Sequence, residues 1–248
     1  MSDFSEGSLR ELLTAIESRT ALFINHKFKD TMLYKERPIY LRFDIDDDLR
    51  KAVKMANICY DYNISATFFI LNTAKYWHSQ GLMNELKFMQ DSLGHEIGWH
   101  NNVLTEWLQS PPDAQHMGLL NHAIDRTLSY FRTNGIIIRG SASHGDQLCH
   151  KLGYLNYEVF KECPRTEEAT NFPKPSFTIP QVSMYDFGLE YEAYHVPYDL
   201  YLSESGGRAW SGRANGTAFK WRIDELNLSL LDKHNRIQIL IHPQHWKI

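Results

Sequence analysis

Residues 39–48 read IYLRFDIDDD, an apolar strand-like run that leads into four aspartates within five positions. Carboxylates this close repel each other, so they either extend into water or share a cation or a proton. Side chains two apart on a strand point the same way, which pairs Asp44 with Asp46. Asp47 and Asp48 precede a helical pattern and suit a helix N-terminus. The run therefore predicts a strand that ends in a two-carboxylate site.

The same alternation of strand and helix continues on both sides of this run. Short β-rich runs lie at 39–43, 66–71, 95–99, 135–139 and 236–241, and helical patterns lie at 8–24, 49–61, 78–92 and 114–131. This order is typical of βα units around a parallel sheet. Residues 160–216, which contain five prolines, are predicted to form loops. The chain is therefore expected to be α/β.

Composition excludes several classes of protein. The net charge of −4 comes from 26 basic and 30 acidic residues that are mixed along the chain, without the basic stripe of a nucleic-acid binder. The three cysteines have no CxxC spacing, which favours reduced thiols. No apolar run approaches the roughly 18 residues of a membrane span. We predict a cytoplasmic protein that binds no nucleic acid, and its oligomeric state stays open.

Four of the predicted strands are followed by acids or imidazoles. The pairs are IYLRF with DIDDD, HEIGW with HNN, GIIIR with GSASHGD, and QILI with HPQHW. In a (β/α) barrel the loops after the strands converge at one end, where active sites lie. We therefore expect these side chains to meet in one catalytic or metal site.

Several motifs together resemble the polysaccharide deacetylases of the NodB type, which are carbohydrate esterases. These motifs are FDID with its acidic pair, ATFFI about twenty residues later, GHEIGWH, and LIHPQ near the C-terminus. The resemblance implies a distorted (β/α) barrel of this type over residues 37–248, with residues 1–36 as an N-terminal helical extension packed on it. It also implies a metal-dependent hydrolase that removes an acetyl group from an acetylated sugar or glycan precursor.

The resemblance assigns catalytic and metal-binding roles residue by residue. It implies Asp44 as the general base, His242 as the general acid, and Asp46 and His100 as metal ligands. Arg139 resembles the arginine that pairs with the catalytic aspartate, although an ordinary strand-end arginine fits the sequence equally well.

Three further residues fall where the family often has substrate-contacting loops. Trp210 could stack on a sugar ring, Arg208 could bind an anionic substituent, and Glu204 lies in the same segment. A solvated loop is the alternative for all three.

The chain departs from the family at one metal ligand. Typical members have a second histidine four residues after the first, but here Leu104 follows His100 at that spacing. We predict that His144 completes a zinc site, because Gly145 lets its loop bend and a hydrolytic zinc needs about three protein ligands. Asn101, Asn102 or water could fill the position instead.

The missing histidine leaves two rival functions open. A catalytically inactive barrel that binds glycans would need no complete metal site. An amide hydrolase acting on a non-sugar compound would use the same chemistry on another substrate. The sequence leaves the identity of the sugar open, as well as the choice between an N-acetyl and an O-acetyl group.

Overall fold

Six α-helices lie in the part of the chain that the computed structural model describes, which comprises residues 4–17, 24–25, 37–166, 172–204, 206–214, 216–221, 231 and 233–248. They are α1 (Glu6–Glu17), α2 (Leu49–Asp61), α3 (Leu82–Lys87), α4 (Val103–Gln109), α5 (Met117–Thr133) and α6 (Gln147–Lys151). None of the helices in these ranges is both long enough and apolar enough to cross a membrane.

The strands of the described residues form one mixed sheet. They are β1 (Ile24–Asn25), β2 (Pro38–Ile45), β3 (Thr67–Leu71), β4 (Glu96–Asn101), β5 (Ile138–Ser143), β6 (Tyr191–Glu192), β7 (Leu200–Ser203), β8 (Ser211–Ala214), β9 (Thr217–Lys220) and β10 (Ile237–Ile241). The spatial order is β6-β5-β4-β3-β2-β10-β7-β8-β9, with β1 beside β2. Pairing is parallel except at β7–β8 and β8–β9.

This arrangement confirms the predicted α/β class. In the described ranges no pairing joins β6 to β9 at the two ends of the strand order, so closure into a barrel stays a prediction. The predicted boundary at residue 37 also stays a prediction. Most of residues 1–36 lie outside the described ranges, while the apolar side of α1 packs into the main core.

β2 is buried along its whole length and has two different faces. Ile39, Leu41, Phe43 and Ile45 belong to the main hydrophobic core, which also holds the apolar sides of the helices. The alternating positions Tyr40, Arg42 and Asp44 point to the other face, because side chains on a strand alternate. This second face, which points away from the main core and is called the inner face, thus carries the charged groups of the strand.

α2 begins directly after the aspartate run. The Asp48 carboxylate accepts a hydrogen bond from the Lys51 backbone N–H at 3.1 Å and caps the helix, while Asp47 is exposed. This confirms the predicted helix-start role of Asp48. Two of the four aspartates therefore belong to the turn before the helix, and Asp44 and Asp46 remain for the site.

Several predicted elements differ from the structure, including the helix predicted over 78–92, whose α-helical part is Leu82–Lys87. α1 begins at Glu6 after Ser5, whose hydroxyl accepts from the Ser8 N–H, so the predicted start at Ser8 is wrong. β5 is displaced toward the C-terminus from the predicted run 135–139, because Gly135 has a φ of +79° and ends the preceding turn. The region 160–216, predicted as loops, contains β6, β7 and β8.

Candidate metal centre

The inner face of β2 carries a buried ion pair. Arg42 donates two hydrogen bonds to Asp44, from Nε to Oδ1 at 2.7 Å and from Nη2 to Oδ2 at 2.6 Å. The guanidinium carbon also lies 4.5 Å from the ring centre of Tyr194. Burial opposes ionisation of Asp44, but the charge and hydrogen bonds of Arg42, together with the charge of His100, outweigh it and hold the pKa of Asp44 below its usual range. Asp44 is therefore an oriented, ionised carboxylate.

Asp46 directly follows β2 and is less buried than Asp44, with 28% of its side chain exposed. Its Oδ2 accepts a hydrogen bond from Gln244 Nε2 at 2.7 Å, and its Oδ1 lies 3.2 Å from His100 Nε2. Burial opposes ionisation here too, but the charged imidazole of His100 close to Oδ1, with smaller contributions from His242 and His144, outweighs it, so the pKa of Asp46 is lowered. Asp46 thus points an ionised oxygen at a histidine.

His100 lies on the inner face of β4, near both aspartates. Its Nδ1–H donates to the Ala142 carbonyl at 2.8 Å, since a carbonyl oxygen only accepts. Nε2 therefore faces the carboxylates, 3.5 Å from Asp44 Oδ2. Burial opposes protonation, but the charges of Asp44 and Asp46 outweigh it and raise the pKa of His100. A metal ion must displace this proton to bind, so affinity rises with pH.

His144 directly follows β5 and lies beside His100. The two imidazole centres are 5.1 Å apart with their planes nearly perpendicular, and His144 Nε2 lies 3.9 Å from Asp46 Oδ1. Burial, together with the charge of His100, lowers the pKa of His144 to about 4. His144 is therefore neutral at pH 7, which is the form of imidazole that binds metals.

Asp46, His100 and His144 form a group that could bind a metal ion, with their ligand atoms within 4.8 Å of one another. Zinc bonds of about 2.0–2.1 Å in tetrahedral geometry place ligand atoms roughly 3.3 Å apart. The separations of 3.2 Å and 3.9 Å from Asp46 Oδ1 are close to this value. Asp46 Oδ1 is also buried without a hydrogen-bond partner in the described ranges, so it fits a cation.

The alternatives for the third ligand are engaged elsewhere. Leu104 is buried in the hydrophobic core, as its side chain requires. Asn101 Oδ1 accepts from the Val103 N–H at 2.9 Å, and Asn102 Oδ1 accepts from Asn156 at 3.1 Å. His144 is therefore the side chain that occupies the third position in this group.

His242 directly follows β10 and is held by Glu204. A single carboxylate oxygen of Glu204 accepts from His242 Nδ1–H at 2.6 Å and from the His242 backbone N–H at 2.7 Å. Burial opposes protonation, but the hydrogen bond and charge of Glu204 outweigh it and raise the pKa of His242 to about 9. His242 thus carries a proton at pH 7, with Nε2 available to release it.

Two of the predicted substrate contacts have other roles in the structure. Glu204 is fully buried and holds His242, so the prediction that it contacts substrate is corrected. Trp210 is only 4% exposed, and its ring packs against the aromatic residues Phe4, Trp221 and Trp246, so its ring faces are not open to a sugar. Arg208 lies in the same segment, and its role in substrate binding stays a prediction.

The predicted pairing of Arg139 with the catalytic aspartate is also corrected. Arg139 is half-exposed and bonds Glu190 at 2.7 Å, whereas Arg42 holds Asp44. The sequence did contain a signal for Arg42, because a residue two before Asp44 on a strand shares its face. Gln244 was also missed, and nothing in the pattern HPQHW distinguishes it.

No protein-family model and no curated protein matches the chain. The metal centre is therefore inferred from the side chains and the distances between them.

Two cavities of the described residues lie away from this group. One, of about 840 Å³, is lined by residues at the N-terminal ends of the strands, including Pro38 and Arg236. The other, of about 970 Å³, lies between the end of β3 and helices α4 and α5, with Trp77 and Tyr130 in its wall. Asp46, His100 and His144 line neither cavity.

Removing the charge of Arg42 is expected to destabilise the protein much more than removing the charge of Arg139. Arg42→Met removes the nearest positive charge and both guanidinium hydrogen bonds from the buried Asp44, so the free energy of unfolding is expected to fall by about 3–5 kcal/mol. Arg139→Met breaks only an exposed ion pair, which is worth about 0–1 kcal/mol. Chemical denaturation of both variants measures the difference. Equal losses would contradict the placement of Arg42 as the partner of Asp44.

Proposed function

We propose that this protein is a metal-dependent hydrolase that removes an acetyl group from an acetylated sugar or glycan precursor, with Asp44 as base and His242 as acid. The observation that carries the proposal is the metal-capable group Asp46, His100 and His144, which interacts electrostatically with the ionised carboxylate of Asp44 and the protonated imidazole of His242. Asp44 lies on β2 and His242 directly follows the neighbouring strand β10, where Ile241 is opposite Phe43 of β2.

Zinc is the cation we propose for Asp46, His100 and His144, because mixed imidazole and carboxylate ligands with one remaining position suit hydrolytic zinc. Such a cation supplies Lewis-acid chemistry, since it acidifies water and polarises a carbonyl oxygen. The protein provides the charge, orientation and proton transfer around it.

Asp44 takes the proton of the attacking water in this proposal. Its two hydrogen bonds from Arg42 hold the carboxylate in one orientation, and Oδ2 lies 3.5 Å from the metal-facing nitrogen of His100. A carboxylate with a lowered pKa is a weak base, so it needs a water that is already acidified. This requirement agrees with a metal-dependent reaction.

His242 gives its proton to the departing nitrogen or oxygen. Glu204 occupies Nδ1, so Nε2 is the nitrogen that donates. Because the proton goes to the leaving group and water attacks directly, no covalent intermediate with the protein is required.

The acetylated sugar is supported by the likeness of the motifs to the NodB-type deacetylases, including the order in which FDID, HEIGWH and LIHP follow each other along the chain. The same likeness supports a barrel closed around the site. Substrate screening tests the acetylated sugar, and an experimental structure tests the closed barrel.

The basic limb of the pH–rate profile is expected to follow His242. A general acid works only while protonated, so activity falls as the pH rises through about 9. Glu204→Gln removes the charge that raises this pKa, and the limb is expected to move down toward the ordinary histidine value of 6.5. Profiles of kcat/KM test this, with Glu190→Gln, an exposed residue, as the matched control. An unmoved limb in Glu204→Gln would exclude His242 as the acid.

Metal analysis and substrate screening together test the function. The purified protein is expected to contain about one zinc per chain, to lose acetate release on chelation, and to regain it with added zinc. A panel of N-acetylated and O-acetylated sugars identifies the bond cleaved. Binding of sugars without metal or turnover would favour the inactive barrel, and turnover of simple amides alone would favour the non-sugar hydrolase.

A further inference from the structure

Gln244 makes a direct hydrogen bond to the carboxylate of Asp46. Asp46 belongs, with His100 and His144, to the group that could bind a metal ion, hereafter the metal group. Gln244 lies in a short 3₁₀ turn, Pro243–His245, immediately after β10, two residues beyond His242. Its side-chain Nε2 donates a hydrogen bond to Asp46 Oδ2 at 2.7 Å. Gln244 thus bridges the turn after β10 to the residue that follows β2.

The orientation of this amide is determined by its partner. The ionised carboxylate of Asp46 only accepts hydrogen bonds, so the NH₂ group of Gln244 must face it. The other amide atom, Oε1, is buried and has no hydrogen-bond partner in the described part of the chain. A buried unpaired carbonyl costs about 1–3 kcal/mol, so the position of the amide is not explained by stability alone.

The bond from Gln244 makes the two oxygens of Asp46 unequal. Oδ2 is occupied by the amide, whereas Oδ1 is buried without a hydrogen bond and lies 3.2 Å from His100 Nε2. A carboxylate with both oxygens free can chelate a cation through both of them and fill a second coordination position. With Oδ2 held by the amide, only Oδ1 faces the histidines.

We propose that Gln244 is a positioning residue that restricts Asp46 to binding the metal through Oδ1 alone. The cation then has three protein ligand atoms, and the remaining position stays open to water. This inference rests on the metal part of the proposed function. It concerns the coordination of the cation and not the identity of the substrate.

The backbone of Gln244 is held by contacts that do not involve its amide. Lys51 Nζ donates to the Gln244 carbonyl at 3.2 Å, and the His245 N–H donates to the His242 carbonyl at 3.1 Å. Pro243 and Trp246 on either side are buried. A change at the Gln244 side chain can therefore be separated from a change in the turn itself.

The test compares Gln244→Met with Lys51→Met in the full chain. Methionine has nearly the shape of glutamine but no donor, so Oδ2 of Asp46 is released, while Lys51→Met removes the contact to the backbone and a partly exposed 3.8 Å ion pair with Asp48, and leaves the Gln244 amide in place. Because Asp46 also loses the partner that fixes its orientation, the zinc dissociation constant, measured by competition with a chromogenic chelator, is expected to rise about 10–100-fold in Gln244→Met. It is expected to stay at the wild-type value in Lys51→Met.

Cobalt(II) reports the coordination itself. Four-coordinate cobalt absorbs visible light more strongly than five- or six-coordinate cobalt, so release of Oδ2 is expected to weaken the absorption per bound ion in Gln244→Met. Lys51→Met should keep the wild-type spectrum. Thermal melting of the metal-free variants checks that both are folded at the temperature of the titrations.

The outcomes separate this inference from the proposed function. A wild-type protein that binds neither zinc nor cobalt overturns the metal-dependent function, and the role of Gln244 with it. A wild-type protein that binds both, with Gln244→Met unchanged in affinity and spectrum, overturns the role of Gln244 alone. Equal losses in Gln244→Met and Lys51→Met also overturn it, because the packing of the turn would then be responsible.

Discussion

Asp46→Asn is expected to empty the metal centre and abolish turnover. Asp46 Oδ1 is the ionised ligand atom in a group whose other members are two imidazoles, and an amide oxygen is a neutral and weaker ligand. The loss of zinc affinity should exceed the roughly 10–100-fold effect of losing an orienting partner. Zinc content after dialysis and zinc titration measure the change.

Asp47→Asn is the matched control for this variant. It makes the same chemical change one residue later, at an exposed carboxylate next to the Asp48 cap. The Asp47 variant is expected to retain its zinc and its activity. Normal zinc binding by Asp46→Asn would show that Asp46 is not a metal ligand.

Asp44→Asn is expected to fail in the opposite way, with zinc bound and turnover lowered by about 10²–10⁴, the usual scale for loss of a general base. Asparagine cannot accept the proton of the attacking water. It also leaves Arg42 buried without its counter-ion, so the free energy of unfolding should fall by about 3–5 kcal/mol. Assays therefore need a temperature at which circular dichroism shows the variant to be folded.

The pair of variants distinguishes a base from a ligand. Zinc loss in Asp44→Asn, in a protein that is still folded, would show that Asp44 belongs to the metal group. Full turnover with zinc bound would show that another group takes the proton. Only the combination of retained zinc and lost turnover agrees with the proposed roles.

Local sequence patterns were enough to predict strand β2, helix α2 and the place of His144. The alternation in IYLRFDID produces a strand with one apolar and one charged face, and the helix from Leu49 to Asp61 was predicted with its correct limits. His144 was predicted as the third member of the metal group because it follows a strand, although the strand itself proved to be displaced. In each case the decisive signal lies within a few residues.

Other parts depend on contacts between distant segments. β6 and β7 are two and four residues long, too short for a recognisable alternation, and they form by pairing with β5 and β10. Glu204 holds His242 across 38 positions of sequence, and Trp210 is buried by aromatic rings from both ends of the chain. Sequence position alone predicted both as substrate contacts.

The sequence by itself therefore predicted the α/β class, the inner-face carboxylates, the helix cap and the three residues that form a group able to bind a metal. The class, the carboxylates and the cap follow from strand periodicity and from the chemistry of side chains at strand and helix ends, which are local properties, whereas the ligand roles of Asp46 and His100 were implied by the resemblance to the deacetylase motifs. Only the tertiary structure decided that Arg42 holds Asp44 while Arg139 bonds Glu190 at the surface, and that Glu204 and Gln244 orient His242 and Asp46. The physical reason is that a hydrogen-bond partner is selected by distance in the folded chain, which residue type and spacing do not specify.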